Sequence, residues 1–452
     1  MGRTMEQMNL DAADPDQRLA LIHQALVHRR HGIITTLLEE TEHPDARGLF
    51  VFNALMVDVK AMMIDPSRAK PNNPTSDRAS LAGSGAAFDR TSALWAAFGE
   101  AIERYSAAVH FDDQLHYASQ DELGEAAVGA EQFVLFSPEQ YAAEGFEYAA
   151  PDRGATRAWA AAADLHDAER EAYVPAQMVY LGMQVKDKRE IVFQSSSTGL
   201  ACGMDEPRAI LSGLAEVVER DAFAAMWQMR YAPRALEVSE ESWAKLLPGV
   251  QRALRHPSLE VRLWDITTDI GMPVVLCLAR SKNDGTMSLG ASAQLGVEQA
   301  VNKAVIEALH GYCWGSSILG AGTPLPERAA IRNPGDHFAY FLEQSRQGAM
   351  DFLFQNGQTV SSADPALRQL ATLDDLLARL KALGHRALAV DVTSADIGSL
   401  GFCVVRALIP GLHPLLFGDG MFSRDERRLR KIAAFWGLDG VPPLNTDPHP
   451  FP

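Results

Sequence analysis

The pattern of apolar and polar positions predicts helices and strands that alternate along most of the chain. Apolar residues recur with helical spacing in DQRLALIHQALVHRR and in TLDDLLARLKALG. Apolar alternation and short apolar runs predict strands or strand pairs in other segments. These are HGIITTLLEE, GLFVFNALMVDV, EQFVLFSP, EAYVPAQMVYLGM, LEVRLWDITTDIGMPVVLCLAR, ALAVDV and FCVVRALIPG.

The order of these elements favours one large domain. A polar tail occupies residues 1–16, and a break rich in Pro, Asn and Ser, DPSRAKPNNPTSDRAS, follows the second predicted strand. Beyond that break, helices and strands alternate with no clear interdomain linker. We therefore predict a single mixed α/β (α+β) domain over residues 17–452.

A unit of a Gly/Ser turn and an amphipathic helix occurs three times. In each copy a glycine precedes a glutamate by 17 residues, and the segments superimpose without a gap. The pairs are Gly83 and Glu100, Gly199 and Glu216, and Gly290 and Glu307. Matching apolar positions, such as Leu94, Ile210 and Val301, form the buried stripe of each predicted helix.

Acidic residues lie opposite the apolar stripes. The first helix carries Glu100, Glu103 and Arg104, and the second carries Glu216, Glu219 and Arg220. The third keeps Glu307 but has His310 and Gly311 in place of the second acid and the arginine. A solvated face stabilised by i, i+4 ion pairs of about 0.2–0.5 kcal/mol is the simple explanation for one copy. Three copies in register favour a shared site instead.

If the three helices converge, their five carboxylates need cations. All-oxygen ligands favour hard ions such as Mg²⁺, which commonly binds together with phosphates. The turns GSGAA and SSSTGLACG, which contain Ser84 and Ser197, offer small residues and hydroxyls to a phosphate, and Lys303 offers a positive charge. The pattern predicts a nucleotide–magnesium site without a GxxxxGK[ST] motif.

Two segments, SALWAAFGEAIERYS and SSTGLACGMDEPRAILSGLAEVVERDAF, resemble the signature helices of the YcaO family. The resemblance extends from about residue 20 to the end of the chain and implies a fold built around an ATP–Mg²⁺ site. By position, it implies that five glutamates hold magnesium and that Arg104 faces the nucleotide phosphates. The implied metal ligands are Glu100, Glu103, Glu216, Glu219 and Glu307.

The chain departs from the family pattern at three positions. Ala96 replaces the serine of SxxxExxER, and Lys303 and His310 replace the glutamines of QxxxExxQ. We expect Lys303 to contact phosphate, whereas Ala96 removes a hydrogen-bond donor. His310 either donates to a phosphate or is a packed or solvated histidine. Arg406, in a predicted strand, is a second candidate for a phosphate contact, with a structural ion pair as the alternative.

The chain ends in PHPFP, residues 448–452. Composition alone indicates a stiff polyproline tail, and terminal tails are usually disordered. In azoline-forming YcaO enzymes a similar ending places the terminal carboxylate in the active site. The resemblance therefore implies that the terminal carboxylate of Pro452 takes part in catalysis, together with Lys303.

The implied reaction is ATP-dependent conversion of Cys, Ser or Thr residues of a ribosomal precursor peptide into azoline rings. Related systems lead us to expect a separate E1-like protein that binds the peptide leader, a homodimer, and in some pathways a flavin-dependent azoline dehydrogenase. Two alternatives stay open. One is a YcaO enzyme with another nucleophile, giving a thioamide or a macroamidine, and the other is an inactive nucleotide-binding scaffold.

Charge, hydropathy and cysteine content indicate which partners, compartment and redox state to expect. The 58 acidic residues outnumber the 41 basic ones, for a formal net charge of −17, which disfavours nucleic acid and anionic membranes as partners. The N-terminus has no apolar signal core and no apolar run reaches about 18 residues, so we expect a cytoplasmic protein. The cysteines form no CxxC pair and are expected to be buried, reduced thiols: Cys202, Cys277, Cys313 and Cys403.

Overall fold

A computed structural model describes residues 14–59 and 82–451. Pro452, most of the polar N-terminal tail and the whole of DPSRAKPNNPTSDRAS lie outside the described residues. The strands in this part of the chain are β1 (Ile34–Glu39), β2 (Phe50–Met56), β3 (Ala82–Ala87), β4 (His116–Ala118), β5 (Arg157–Asp164), β6 (Glu171–Pro175), β7 (Leu200–Gly203), β8 (Arg234–Glu237), β9 (Leu259–Asp265), β10 (Val274–Ser281), β11 (Met287–Ala293), β12 (Thr359–Ser361), β13 (Leu388–Asp391) and β14 (Cys403–Leu408).

Helices connect these strands and cover them. The α-helices are α1 (Pro15–Leu26), α2 (Arg90–Ala108), α3 (Gln120–Leu123), α4 (Pro138–Ala142), α5 (Ala176–Val179), α6 (Glu206–Met229), α7 (Glu240–Lys245), α8 (Pro248–Leu254), α9 (Val297–Gly320), α10 (Pro334–Tyr340), α11 (Leu373–Ala382), α12 (Ala395–Gly398) and α13 (Glu426–Phe435). Short 3₁₀ helices are Pro44–Ala46, Asp112–Gln114, Gly124–Ala126, Ala130–Gln132, Lys188–Glu190, Arg328–Ala330, Gln344–Phe354 and Pro365–Leu367.

The strands form three sheets. The first is antiparallel with the order β1-β2-β3, and the second has the order β11-β10-β9-β8-β12, antiparallel except for the β8–β12 pair. The third has the order β4-β5-β13-β14-β7, with β6 also pairing with β5, and all of its pairs are antiparallel. Strands β3, β7 and β11 each lie at one edge of a sheet, so that each sheet presents one of the repeated units at its border.

Each repeated unit is an edge strand followed by a long helix. In the first and second units the helix begins after an aspartate whose side chain accepts a backbone N–H, Asp89 from Ser92 at 2.8 Å and Asp205 from Arg208 at 3.0 Å. In the third unit Gly296 occupies the corresponding position and α9 begins without a side-chain cap. These three helices, α2, α6 and α9, are the repeated helices that the 17-residue spacing predicts.

The predicted Gly/Ser turns are mostly strand. Gly83 lies within β3 and Gly290 within β11, while Gly199 directly precedes β7 with a φ of +84°. The reason is close packing of the helix backbone on the strand. A Cβ on Gly83 would lie 2.6 Å from the Ala101 nitrogen, and one on Gly290 would lie 2.4 Å from the Ala308 nitrogen. The expectation of a turn at these two glycines is therefore wrong.

The structure confirms some of the other sequence predictions and contradicts others. The mixed α/β fold class is confirmed, as are the strands in ALAVDV and FCVVRALIPG. EQFVLFSP contains no strand, because Phe136 packs instead into an aromatic cluster, where its ring centroid lies 4.9 Å from that of Tyr148. All four cysteines are free, as expected. Cys277 and Cys313 are buried, but Cys202 and Cys403 are only half-buried, so the expectation of burial is wrong for these two. No helix among the described residues has the length and apolarity needed to cross a membrane.

Candidate active site

The candidate site lies where the edge strands β3, β7 and β11 meet the helices α2, α6 and α9. Each helix packs on the strand of its own unit, and α2 also contacts β7, α6 contacts β11 and α9 contacts β3. The three units therefore follow one another around a closed ring. This arrangement brings together acidic side chains that are far apart in the sequence.

The first glutamate of each unit accepts a backbone N–H from the edge strand of the same unit or, for Glu216, from the residue directly before that strand. Ser84 donates its backbone N–H to Glu100, and Gly199 donates to Glu216 at 3.2 Å. In the third unit, the Glu307 carboxyl accepts a hydrogen bond from the Ala291 backbone. Backbone donors on a sheet edge need a partner, and these carboxylates supply it.

The second glutamate of a unit reaches the strand of the next unit. Glu103 accepts the Cys202 backbone N–H at 2.8 Å, which joins α2 to β7. Glu219 accepts the Ala293 backbone N–H at 3.1 Å, which joins α6 to β11. Each of these acids lies three residues after the first glutamate of its helix. The same spacing thus produces the same contact between successive units.

His310 occupies the corresponding position in the third unit. Its Nε2 lies 3.0 Å from the Ser84 hydroxyl, so it joins α9 back to β3 of the first unit. Burial lowers the pKa of His310, although the carboxylates of Glu100 and Glu40 act to raise it. A neutral imidazole therefore completes the ring without adding a sixth negative charge.

Burial and mutual repulsion make the acidic cluster electrostatically unfavourable as it stands. Burial raises the pKa of Glu103 to about 8, with Glu100 and Glu216 adding to the shift. Burial also raises the pKa of Glu219 to about 8, with repulsion from Glu307 as the next cause. The site therefore gains free energy from any cation that binds among these groups.

Basic side chains of the protein neutralise part of this charge. Arg104 donates to the Glu100 carboxylate and to the Ala82 carbonyl. Lys303 lies 3.9 Å from Glu307, and its side chain is 56% exposed. Partial shielding of the Lys303 ammonium from water would by itself lower its pKa, but the nearby carboxylates, Glu307 first among them, raise it. A cation is therefore available to an approaching phosphate at the open side of the site.

Arg220 joins the acidic cluster to the C-terminal segment. Its guanidinium lies 3.6 Å from Glu216 and 3.8 Å from Glu219, and it stacks 4.6 Å above the Phe451 ring. Arg220 follows Glu216 by four residues, just as Arg104 follows Glu100, so the spacing could have identified it, although it is not among the predicted phosphate contacts. Its Nε is buried without a hydrogen-bond partner among the described residues, which suits an anionic ligand.

The C-terminal segment is packed into the protein. Phe451 is 3% exposed, and its ring centroid lies 4.6 Å from that of Phe223 on α6. The ring of His449 stacks on His337 at 4.1 Å and its Nε2 donates to the Leu416 carbonyl at 2.9 Å. The disordered tail indicated by composition is therefore wrong for residues 448–451. The catalytic role of Pro452 stays a prediction, because this residue lies outside the described residues.

Two further residues predicted to contact the nucleotide, Arg406 and Ser197, lie in or beside the loop before β7. Arg406 is completely buried and donates to three backbone carbonyls, those of Val179, Ser196 and Thr198. It therefore supports the loop before β7, and a direct contact with phosphate stays a prediction. Ser197 lies half-buried in that loop, where its carbonyl accepts the Leu200 N–H at 2.9 Å.

The residues present fit Mg²⁺ together with a phosphate. The donor set is all oxygen and strongly acidic, and the orphaned Arg220 Nε is a ready partner for an anion. As the side chains stand, no three His, Cys, Asp or Glu residues within the described ranges are grouped closely enough to hold a metal ion. Metal binding would therefore require carboxylates to turn from their present partners.

A family model described as "YcaO cyclodehydratase, ATP- and Mg²⁺-binding" matches residues 83–413. The chain belongs to the YcaO family. The predicted cofactors, ATP and Mg²⁺, are those of this family. Three residues in the matched region depart from the YcaO pattern. Ala96 is exposed on α2, Lys303 lies beside Glu307, and His310 pairs with Ser84.

Similar proteins extend over most of the chain. An uncharacterised protein of Methanothermobacter thermautotrophicus is 25% identical over 87% of this chain and 92% of its own length. The structure of a heterocyclase in complex with substrate and cofactor has a TM-score of 0.77 at 22% identity, over 96% of this chain and 57% of that one. This chain thus spans little more than half of that heterocyclase.

The Escherichia coli microcin synthetase McbBCD complex with pro-MccB17 bound contains another similar chain. Its TM-score is 0.62 at 16% identity, over 94% of this chain and 99% of that one. At these identities the likeness of the solved structures establishes the YcaO fold alone.

Proposed function

We propose that this chain is an ATP-dependent cyclodehydratase that converts Cys, Ser or Thr residues of a ribosomal precursor peptide into thiazoline or (methyl)oxazoline rings. Family membership supports ATP-dependent chemistry. The observation that carries the azoline assignment is the contact of Phe451 with Arg220 beside Glu216 and Glu219. It supports a chain end that reaches the acidic cluster.

In this proposal the five glutamates of the ring hold Mg²⁺, and Arg104, Arg220 and Lys303 bind the nucleotide phosphates. Ser197 contributes a hydroxyl near the phosphates, and Ser84 lies beside them on β3 with its hydroxyl paired with His310. When bound, ATP and Mg²⁺ supply the phosphoryl group that converts a peptide oxygen into a leaving group and the positive charge that offsets the carboxylates. The protein contributes position and charge, which dominate phosphoryl-transfer catalysis.

The side chains and chain end must also remove protons. Ring closure joins the sulfur or oxygen of the nucleophile to the preceding carbonyl carbon, and the peptide oxygen leaves as phosphate. Two protons are lost, one from the nucleophile and one from the amide nitrogen. The terminal carboxylate of Pro452 is our candidate base for one of them. Packing of Phe451 between Arg220 and Phe223 would reduce the cost of ordering that base.

We further propose that a separate E1-like protein delivers the peptide by binding its leader. The similar solved structures include a heterocyclase with bound substrate and a synthetase complex with its precursor peptide, which support a peptide substrate and a partner protein. The proposed setting is the cytoplasm and the proposed assembly is a homodimer. A flavin-dependent dehydrogenase would act afterwards, on the azoline product.

The test combines the purified chain with ATP, Mg²⁺, a Cys/Ser/Thr-rich precursor peptide encoded by a neighbouring gene, and the leader-binding protein encoded beside it. We expect the peptide to lose one water mass for each ring, with phosphate released in proportion. A gain in mass from replacement of oxygen by sulfur would indicate thioamidation instead. Peptide-independent nucleotide binding without any change in peptide mass would support an inactive scaffold.

Glu216→Gln tests the role of the acidic ring. We expect it to abolish ATP turnover with little change in folding, because it removes one of the charges that bind the metal. Glu206→Gln, an exposed acid at the start of the same helix, is the matched control and should keep its activity. Turnover that survives Glu216→Gln would contradict the assignment of this carboxylate.

A further inference from the structure

The ring of three units is completed by a pair of residues that differs from the other two contacts. Between the first and second units, and between the second and third, a glutamate accepts a backbone N–H. Between the third and the first units, His310 pairs with the hydroxyl of Ser84. The junction of α9 with β3 therefore depends on two side chains.

Ser84 is held on both sides of this junction. Its hydroxyl pairs with His310 and its backbone N–H donates to Glu100 on α2. A change in the position of His310 is thus transmitted through one residue to a carboxylate of the acidic cluster. The imidazole is held close to the carboxylates without bringing further negative charge, which a third second-position glutamate would do.

A second polar contact joins α9 to the N-terminal sheet region but lies away from the acidic ring. The Tyr312 hydroxyl donates to Asp45 at 2.8 Å, and Tyr312 is 2% exposed. This contact holds α9 against the Pro44–Ala46 3₁₀ helix and involves neither Ser84 nor Glu100. It therefore provides a control that separates general packing of α9 from the alignment of the site.

We propose that His310 is a positioning residue that closes the ring through Ser84 and thereby aligns Glu100 for binding of Mg²⁺ and nucleotide. The inference rests on the nucleotide–magnesium site of the proposed function, but it does not depend on which reaction follows. It also differs from direct phosphate binding by His310. In that case the contributions of His310 and Ser84 would be independent of each other.

The test is a double-mutant cycle read by calorimetric titration of a non-hydrolysable ATP analogue with Mg²⁺ into the full chain. His310→Ala and Ser84→Ala should each weaken binding about three- to tenfold, the range for loss of one hydrogen bond. The double variant should bind no more weakly than the weaker single variant, since both changes break the same contact. His310→Gln, which can still pair with a hydroxyl, should bind within about twofold of the unchanged chain.

Tyr312→Phe is the matched control. It should lower the thermal stability of the chain and leave nucleotide affinity unchanged, because its hydrogen bond lies outside the ring. Losses in the double variant that equal the product of the single losses would overturn the proposal, as would full affinity in His310→Ala. If nucleotide binding follows the cycle but no peptide is cyclised, the proposed reaction fails while the positioning role stands. If the unchanged chain binds no nucleotide, both fail.

Discussion

Glu103 and Glu219 show how single residues decide the character of this site. Each is held by a backbone N–H of a neighbouring strand, and burial raises the pKa of each to about 8. Without cations, such carboxyls would bind protons near neutral pH. Arg220 and Lys303 act to stabilise the charged form of Glu219, and Arg104 acts to stabilise that of Glu103. These residues therefore keep the cluster ready for a ligand that brings more positive charge.

Lys303→Ala should weaken ATP binding by roughly 10- to 100-fold, because a charge-assisted contact with phosphate contributes about 1.5–3 kcal/mol. The measurement is nucleotide titration at fixed Mg²⁺, accompanied by thermal unfolding. The side chain is 56% exposed, so we expect folding to be nearly unaffected. Lys282→Ala, on the β10–β11 turn, serves as a charge-matched control. Unchanged affinity in Lys303→Ala would remove this lysine from the phosphate site.

The sequence predicts which acids share a helix face, but not what they contact. The spacing of Glu100 and Glu103 fixes their common side of α2, and the resemblance assigns their chemistry. Neither reveals that Glu103 reaches β7, because that contact depends on how two sheets are placed in three dimensions. Arg406 illustrates the same limit, since its carbonyl partners lie about 200 residues away in sequence.

At the scale of elements, close packing of a helix on an edge strand explains the repeated glycine. The 17-residue spacing correctly identifies the glycines that matter. It does not reveal that two of them lie within strands. Gly and Ser favour turns locally, whereas packing of α2 on β3 and α9 on β11 demands a residue without a side chain. Tertiary structure therefore overrides the local preference.

Gly290→Ala should destabilise the protein by about 1–3 kcal/mol, since the added Cβ would lie 2.4 Å from the Ala308 nitrogen and 2.5 Å from the Ala304 oxygen. Gly99→Ala is the contrasting change. Its Cβ would meet nothing within 4 Å on α2, so it should stabilise the chain by about 0.5–1 kcal/mol. Denaturant unfolding measures both. Equal stability of the two variants would contradict the close-packing explanation.

At the scale of the whole molecule, the C-terminal segment connects the acidic ring to the C-terminal end of α6. Asp447 binds Arg230 at 2.7 Å and Arg328 at 3.2 Å, and its carbonyl accepts the Trp227 indole N–H at 2.9 Å. Phe451 then reaches Arg220. Phe451 thus follows the anchored aspartate by only four positions, which explains why residues 448–451 are packed into the protein.

A short tag added after Pro452 should reduce ring formation by about 100-fold or more, the usual effect of losing a general base. Nucleotide affinity should change little, because the acidic ring and its cations are intact. Peptide mass and nucleotide titration are measured on the same preparation. A matched tag at the N-terminus should be harmless. Equal losses of binding and ring formation from the C-terminal tag would indicate a structural role for the segment.

The meeting of three sheet borders at one place has a thermodynamic consequence. The edge strands β3, β7 and β11 come from separate sheets, so a molecule that contacts all three can bind only while their mutual arrangement is intact. Its binding free energy then opposes unfolding of the entire chain. At a concentration 100 times its Kd, such a molecule would add about 2.7 kcal/mol to global stability. Heat resistance of the protein is thereby coupled to the supply of nucleotide.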